Sequence, residues 1–189
     1  MVDVIVIRAT RHGDARGWFQ ETWSQARFAD HGIDCTFVQD NHSRSEAAGV
    51  VRGLHFQAPP FAQTKLVRCV RGAILDVMVD LRLGSPTYGK TYQFELTAES
   101  GDQVLVPDSF GHGFVTLSPG TEVIYKVSAP YSPAHEGGLA WNDPALDVAW
   151  PALAQNAQLS ARDLTWPLLK DLRSPFTGTG PSRLREVRL

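Results

Sequence analysis

Short apolar segments alternate with turn residues along most of the chain. Residues 2–7 are mostly β-branched, which favours an extended strand. Residues 37–41 form a second such segment, and Gly, Pro, Ser and Asp turns then separate seven more, at 51–57, 66–70, 73–81, 91–96, 103–106, 113–117 and 122–127. Many short strands joined by such turns predict an all-β sandwich or barrel rather than alternating strands and helices.

Helical signals are few and short. Ser24 is suited to the N-cap of a helix that runs through Phe28 and ends at Gly32. After Trp150 the strand pattern gives way to short helical pieces. We therefore expect the strands, and not the helices, to form the framework of the domain.

The polar segments indicate where the domain turns and where it ends. Residues 12–17 have turn chemistry, and residues 41–49 read as a polar loop. The segment 174–189 contains prolines, glycines and arginines and has no apolar periodicity. We predict a single domain over residues 1–173, followed by a tail that is an extension or a loosely packed arm.

Composition and charge narrow the class of protein. The chain has 189 residues, 43% hydrophobic and 20% charged, which suits one globular domain. With a net charge of −2, the protein as a whole has no positive electrostatic potential that would attract nucleic acid or an anionic membrane. Two cysteines, Cys35 and Cys69, are too few for a disulfide framework, and residues 2–7 are too short for a signal peptide. The expectation is a soluble, cytoplasmic protein without nucleic-acid or membrane partners.

The strand at 51–57 carries more charge than an ordinary core strand. With a period of two, His55 shares a face with Val51, Gly53 and Gln57. Arg52 has the opposite parity, so it faces the same space as His55 only if the pleat is interrupted. Gly53 could host the β-bulge that this requires.

The next strand adds a second charged group. Lys65 shares a face with Val67 and Cys69, both of which are apolar. If this face and that of His55 coincide, a base and an ammonium group project into one apolar interior. That combination predicts a functional site.

Each candidate residue also has an ordinary structural explanation. A single histidine such as His55 on an apolar strand is more often a hydrogen-bonded core residue than a catalyst. His112, between two glycines, is equally well explained as a loop histidine. Tyr125 can bury its ring and bond its hydroxyl nearby. Asp163 follows Ser160 by three residues, as in a helix capping box, and its sequence alone predicts a cap.

The sequence disfavours a metal. Metal sites in β-barrels usually combine closely spaced histidines with a carboxylate, whereas two residues after His55 stands Gln57. The Lys65 ammonium would also repel a divalent cation. We therefore expect no metal at this site.

Several longer strings are specific in combination. They are FVQDNHSRS at 37–45, GVVRGLHFQAPPFAQTKLVRCVRG at 49–72, DVMVDLRLGSPTYGK at 76–90, VPDSFGHGF at 106–114, EVIYK at 122–126, GLAWNDPALDVAWP at 138–151 and LSARD at 159–163. Together they closely resemble the dTDP-4-dehydrorhamnose 3,5-epimerase family. The resemblance implies a cupin-type jelly-roll β-barrel, normally a homodimer without metal or organic cofactor. It also implies a dTDP-4-dehydro-6-deoxy-D-glucose substrate that is inverted at C3 and C5.

The resemblance also implies roles for individual residues. It makes His55 the proton acceptor and Tyr125 the proton donor, with Asp163 as the partner of His55 and Lys65 stabilising the enolate. The residues that match substrate-binding positions are Arg16, Glu21, Gln39, Asn41, Arg52, His112, Tyr131, Glu136 and Arg162.

Two alternatives remain at this point. Pro130 precedes Tyr131, where members of the family often have a second aromatic or polar residue. Because close relatives invert C3 alone, a 3-epimerase of deoxysugar biosynthesis is one alternative. A non-catalytic sugar-nucleotide-binding barrel or a metal-dependent cupin is the other. The presence of His55, Tyr125 and Lys65 argues against a non-catalytic barrel. The absence of a metal-ligand pattern argues against a metal-dependent cupin.

Overall fold

The computed structural model describes residues 2–189 and has the all-β architecture that the sequence predicts. A six-stranded sheet contains, in spatial order, β15 (Leu184–Arg188), β1 (Val4–Arg8), β10 (Gln103–Val106), β6 (Lys65–Arg71), β12 (Thr121–Val127) and β4 (Gln39–Ser45). A five-stranded sheet contains β13 (Glu136–Gly138), β5 (Val51–Gln57), β11 (Phe110–Thr116), β7 (Ala73–Asp80) and β9 (Thr91–Thr97). The two sheets stack as a jelly-roll sandwich.

Two smaller pairs of strands complete the sheet structure. Strands β2 (His12–Asp14) and β3 (Gly17–Phe19) form a hairpin around the predicted turn. Strand β8 (Arg82–Leu83) pairs in parallel with β14 (Phe176–Thr177). The pairing of β1 with β15 is also parallel, and the other pairings within the two large sheets are antiparallel.

The alternation of side chains along each strand builds three apolar layers. On β6, Val67 and Cys69 point into the cluster between the sheets, whereas Leu66 belongs to the outer cluster of the six-stranded sheet. Phe28 covers that outer face. Segments near the C-terminus cover the outer face of the five-stranded sheet, where Leu146 is buried. Burial of each such side chain contributes about 1.5–3 kcal/mol.

Two strands differ from their predicted extent. β4 continues to Ser45 through residues assigned to a polar loop, because its backbone pairs with β12 while its side chains alternate between exposed and half-buried. β11 begins at Phe110, so His112 lies within a strand and not in a loop. Gly111 and Gly113 have weak strand propensity, but β11 is hydrogen-bonded on both sides, by β5 and β7.

Helices are short, as the sequence predicts. α1 (Gln25–Asp30) follows Ser24, whose side chain makes no capping hydrogen bond. Four 3₁₀ helices lie at Pro133–His135, Pro144–Leu146, Ala152–Asn156 and Leu169–Asp171. No helix begins at Ser160, so the predicted helix cap at Asp163 is wrong, although the Asp163 N–H does donate to Ser160 Oγ at 3.2 Å.

The segment 174–189 packs more closely than a loose arm. It supplies β14 and β15, and β15 pairs with β1 along five residues. Phe176 is buried against Phe56, with ring centroids 5.5 Å apart. Ser182 is buried too and is bonded by the Tyr92 hydroxyl. Mostly exposed side chains on β15 explain why no apolar pattern revealed this strand.

None of the helices in residues 2–189 is long and apolar enough to cross a membrane.

Candidate active site

One end of the sandwich opens into a cavity of about 450 Å³ between the two sheets. His55 reaches it from β5 in the five-stranded sheet, whereas Lys65 and Tyr125 reach it from β6 and β12 in the six-stranded sheet. Asp163 joins them from the long segment between β13 and β14. All four residues expected to be catalytic therefore line one cavity.

A β-bulge in β5 brings Arg52 and His55 to the same side. His55 pairs with His112 and Arg52 with Phe114, so three steps on β5 match two on β11. Gly53 sits in the bulge with φ +125°, and a Cβ there would lie 2.6 Å from the Gly113 Cα. The predicted bulge is confirmed. Its consequence is that Val51 faces away from the cavity, which corrects its predicted position beside His55.

His55 is held by a buried carboxylate. Its Nε2 is hydrogen-bonded to Asp163 Oδ1, and Trp166 Nε1 donates to the same oxygen at 3.3 Å. Burial alone would raise the pKa of Asp163, but the bonds from His55, Ser160 and Trp166 lower it below the ordinary value. An ionised Asp163 orients the imidazole and stabilises its protonated form.

Lys65 is a buried ammonium group with few contacts. It is 9% exposed, and its Nζ donates to the His55 carbonyl oxygen at 3.5 Å. Burial lowers the pKa of Lys65 to about 8, against the opposing effect of Asp76 and Glu136. Its remaining N–H donors are available to an oxygen atom that enters the cavity.

Tyr125 faces the cavity from the sheet opposite His55. It pairs with Val67 on β6 and with Asn41 on β4. No hydrogen bond to its hydroxyl is found among residues 2–189, so the structural explanation of a core tyrosine with a bonded hydroxyl does not apply. Burial raises the pKa of Tyr125, which keeps the phenol protonated and able to donate.

His112 lies in the interior and not in a loop. Its Nε2 is 2.8 Å from Oδ1 of Asp76, a fully buried residue of β7. Burial lowers the pKa of His112 despite this carboxylate. A neutral His112 therefore donates from Nε2 to Asp76 and keeps Nδ1 as an acceptor.

A polar network surrounds the mouth of the cavity. Glu136 accepts hydrogen bonds from Arg162 and from the Tyr131 hydroxyl, the latter at 2.8 Å. Gln39 accepts from the Tyr131 N–H at 3.0 Å and donates to Asn41 at 2.7 Å. The structure thus places these five predicted binding residues at or beside the mouth, with Glu136 and Arg162 in the lining itself.

Two predicted binding residues lie elsewhere. Arg16 is on the exposed β2–β3 hairpin, where it forms an ion pair with Asp14 at 2.5 Å. Glu21 is bound by Arg27 at 3.0 Å. Neither residue lines the cavity of its own chain.

Two side chains that support this site, Asp76 and Trp166, were not predicted from the sequence. Asp76 is a single carboxylate within an otherwise apolar stretch of β7, and this charge in a core strand could have indicated a functional role. Trp166 packs edge-on against His55, with centroids 6.0 Å apart, but nothing in its surrounding sequence indicated the contact.

Within residues 2–189 no group of three or more His, Cys, Asp or Glu side chains is arranged to hold a metal ion. A separate cleft of about 320 Å³ lies beside Trp141 and Trp150, and its lining residues include no histidine and no cation.

These groups define a class of enzyme. An imidazole with a carboxylate partner, a phenol on the opposite wall and a buried ammonium suit the removal and return of a proton beside a carbonyl group. On a jelly-roll sandwich, this arrangement is that of an epimerase or isomerase site.

Comparisons with known proteins specify the family. The family model described as dTDP-4-dehydrorhamnose 3,5-epimerase matches residues 1–171. A dTDP-4-dehydrorhamnose 3,5-epimerase of Sinorhizobium fredii is 49% identical over 176 residues, which cover 93% of this chain and 90% of that protein. The chain belongs to the dTDP-4-dehydrorhamnose 3,5-epimerase family.

Two solved structures are also similar. The dTDP-6-deoxy-D-glucose-3,5-epimerase of Legionella pneumophila, in complex with dTDP-4-keto-L-rhamnose, has a TM-score of 0.84 and 38% identity over 91% of this chain and 95% of that chain. A 3′-monoepimerase of Streptomyces bikiniensis, in complex with dTDP-quinovose, has a TM-score of 0.83 and 34% identity over 88% of this chain and 84% of that chain.

Proposed function

We infer that this protein epimerises dTDP-4-dehydro-6-deoxy-D-glucose at C3 and C5 to give dTDP-4-dehydro-L-rhamnose. The observation that carries the inference is the position of the His55–Asp163 pair across one cavity from Tyr125, with Lys65 between the sheets. The family relatives named for this reaction support the same substrate.

The reaction begins with removal of a proton from a carbon next to the C4 ketone. Such protons are weakly acidic, so the step needs a base and a charge to stabilise the oxyanion. Neutral His55 takes the proton while Asp163 stabilises the imidazolium. The electron pair of the C–H bond moves into the ring and the negative charge onto the C4 oxygen, where the Lys65 ammonium donates a hydrogen bond.

Inversion requires that a proton returns to the opposite face of the same carbon. Tyr125 reaches the cavity from the sheet opposite His55, and its raised pKa keeps the phenol protonated until the enolate is present. Proton donation from Tyr125 restores the ketone with inverted configuration. The phenolate then regains a proton from solvent, and His55 releases the one it took. The same cycle applies to C3 and C5, because both adjoin C4.

Two arginines, Arg52 and Arg162, lie where they can bind the diphosphate of the nucleotide. Arg52 lines the cavity and donates to Ser45 Oγ at 3.2 Å and to the Arg44 carbonyl at 3.1 Å, which holds its guanidinium at the mouth. Arg162 is held by Glu136. A forked guanidinium binds phosphate oxygens through paired donors. Phosphate binding at the mouth leaves the sugar to enter the cavity.

We further infer a homodimer, as expected for the family. Arg16 and Glu21 match substrate-binding positions but lie outside the cavity of their own chain. Trp18 and Phe19 beside them are 60% and 67% exposed, which is a large apolar area for a hairpin tip. A second copy would bury this surface and bring Arg16 to its partner's cavity. Mixing inactive His55→Asn and Arg16→Ala proteins tests this, because only subunits that share sites regain turnover.

A 3-epimerase is the second candidate, supported by the similarity to the Streptomyces bikiniensis 3′-monoepimerase. Incubation of the 4-keto sugar nucleotide with the protein in heavy water separates the two. A 3,5-epimerase incorporates deuterium at both carbons and inverts both, as read by NMR. Stable exchange at C3 alone would favour the second candidate, and no exchange at either carbon would refute both.

A metal-dependent cupin makes a different prediction. We expect turnover to survive extensive treatment with a strong chelator. A large loss of activity that one added metal restores would overturn the proposed metal-free reaction.

A further inference from the structure

Asp76 is an unusual residue on the interior face of β7. It is 0% exposed, and Oδ1 accepts a hydrogen bond from His112 Nε2 at 2.8 Å. Its other oxygen, Oδ2, is the single buried side-chain polar atom in residues 2–189 for which no hydrogen-bond partner is found. Because an unpaired buried carboxylate oxygen is costly, such an atom calls for a nearby positive charge.

Lys65 carries the opposite charge and, like Asp76, has few hydrogen-bond partners. It is also buried, and its one hydrogen bond, to the His55 carbonyl, is long at 3.5 Å. In the part of the chain that the structure describes, no carboxylate oxygen lies within 4.0 Å of Lys65 Nζ, so Lys65 forms no direct ion pair. Geometry nevertheless brings the two residues close: Lys65 bonds the His55 carbonyl, His55 lies opposite His112, and His112 is bonded to Asp76. In agreement with this, Asp76 is the group that most opposes the effect of burial on the pKa of Lys65, ahead of Glu136.

We propose that Asp76 is a positioning residue that keeps Lys65 charged from a distance and leaves its ammonium donors free for the substrate oxygen. The proposal deepens the proposed function and rests on it for the role of Lys65. A direct ion pair would also keep Lys65 charged, but it would occupy the donors that the developing enolate needs. Separation of the two charges avoids that competition while their attraction persists in the low-dielectric interior.

The hydrogen bond that Asp76 accepts from His112 serves the same purpose. Oδ1 holds the Nε2–H of His112, and burial lowers the pKa of this imidazole, so His112 adds no positive charge beside Lys65. Arg162 is bound to Glu136 at the mouth. The other titratable groups around Lys65 in the cavity are Arg52, His55, His112, Tyr125, Glu136 and Asp163.

The test is a titration of Lys65 that does not depend on turnover. The chain has four lysines, Lys65, Lys90, Lys126 and Lys170, so ¹³Cε-labelled lysine gives four NMR signals, and the signal missing from Lys65→Met identifies Lys65. In the wild-type protein we expect its midpoint at about pH 8. A midpoint below about 6.5 in the wild type would overturn the proposal, because Lys65 would then be neutral at working pH.

The informative variant is Asp76→Asn, which keeps the shape and an acceptor for His112 but removes the charge. Its Lys65 midpoint should fall by about one unit or more, a tenfold change in the ionisation constant. Asp102→Asn is the matched control, since Asp102 is a buried carboxylate that pairs with Arg8 outside the cavity. A midpoint that stays at the wild-type value in folded Asp76→Asn would refute the proposal. Asp76→Ser removes the same charge if the amide variant does not fold.

The pH dependence of kcat/KM then links the pair to catalysis. Lys65 acts when protonated, so activity is present below its pKa and lost as the pH rises through it. The alkaline limb of Asp76→Asn should move to lower pH by the same interval as the NMR midpoint. A shifted midpoint with an unmoved limb would refute the catalytic part of the proposal. Absence of any epimerisation in the wild type would instead refute the proposed function and leave the NMR result standing.

Discussion

His55 and His112 lie directly opposite each other on β5 and β11, and each imidazole is bonded through Nε2 to a carboxylate from a different part of the chain. The His55 side chain is 30% exposed and its partner is Asp163; the His112 side chain is 8% exposed and its partner is Asp76. The open ring is the one that can meet a substrate carbon. The buried ring is suited to a fixed hydrogen bond, so two paired histidines serve different purposes.

Asp163→Asn should reduce kcat by about 10²–10⁴-fold with little change in KM. An amide keeps the size of the side chain but cannot stabilise the imidazolium that forms on His55. The measurement is steady-state kinetics on the 4-keto sugar nucleotide. Asp143→Asn is a suitable control because Asp143 is also buried but bonds backbone N–H groups away from the cavity. An unchanged kcat in Asp163→Asn would remove Asp163 from the mechanism.

Lys65→Met should lower kcat by about 10²–10³-fold and leave KM nearly unchanged. The ammonium matters most once charge has moved to the ketone oxygen, and an interaction specific to that stage affects kcat. Lys126→Met is the control, because Lys126 lies on the neighbouring strand but pairs with Asp40 at the surface. If KM rose at constant kcat instead, Lys65 would be a binding residue only.

Tyr92→Phe tests whether the C-terminal segment is a structural part of the domain. The Tyr92 hydroxyl donates to the Ser182 carbonyl at 2.7 Å and also contacts its Oγ, in a buried network that includes Asp80. Its removal leaves buried acceptors unpaired and should lower the free energy of unfolding by about 1–3 kcal/mol.

The control for this change is Tyr88→Phe, since no hydrogen bond to the Tyr88 hydroxyl is found among residues 2–189. Chemical denaturation of both variants gives the comparison, and the control should stay within about 0.5 kcal/mol of the wild type. Equal stabilities of the two variants would mean that residues 174–189 are held only weakly.

Local patterns predicted much of the fold. The period of two on β6 placed Lys65 with Val67 and Cys69, and all three face the interior. Gly53 predicted the bulge that aligns Arg52 with His55. The same bulge places Val51 on the face opposite to the predicted one, because a bulge changes the face of every residue beyond it. The position of a bulge cannot be read from the alternation of apolar and polar residues alone.

Contacts between distant parts of the chain were harder to predict from residues alone. The Ser160–Asp163 spacing is that of a helix cap, and His55 and Asp163 are 108 positions apart, so no local pattern indicates their hydrogen bond. Family resemblance supplied that pairing. The second half of β4, residues 42–45, and the whole of β15 were missed for a related reason: their polar side chains carry no apolar period, and partner strands far along the chain stabilise them.

We infer above all that His55 removes the proton and that Tyr125 returns one from the other face. One measurement on two variants in heavy water tests it, with deuterium content read by mass and configuration by NMR on the same sample. His55→Asn should show neither exchange nor inversion, because nothing removes the proton.

Tyr125→Phe should exchange protons with solvent while net inversion collapses. Its base still works, the enolate still forms beside Lys65, and His55 can return a solvent-derived proton only to the face it came from. If Tyr125→Phe inverted both carbons at nearly the wild-type rate, Tyr125 would not be the acid and the account would be wrong.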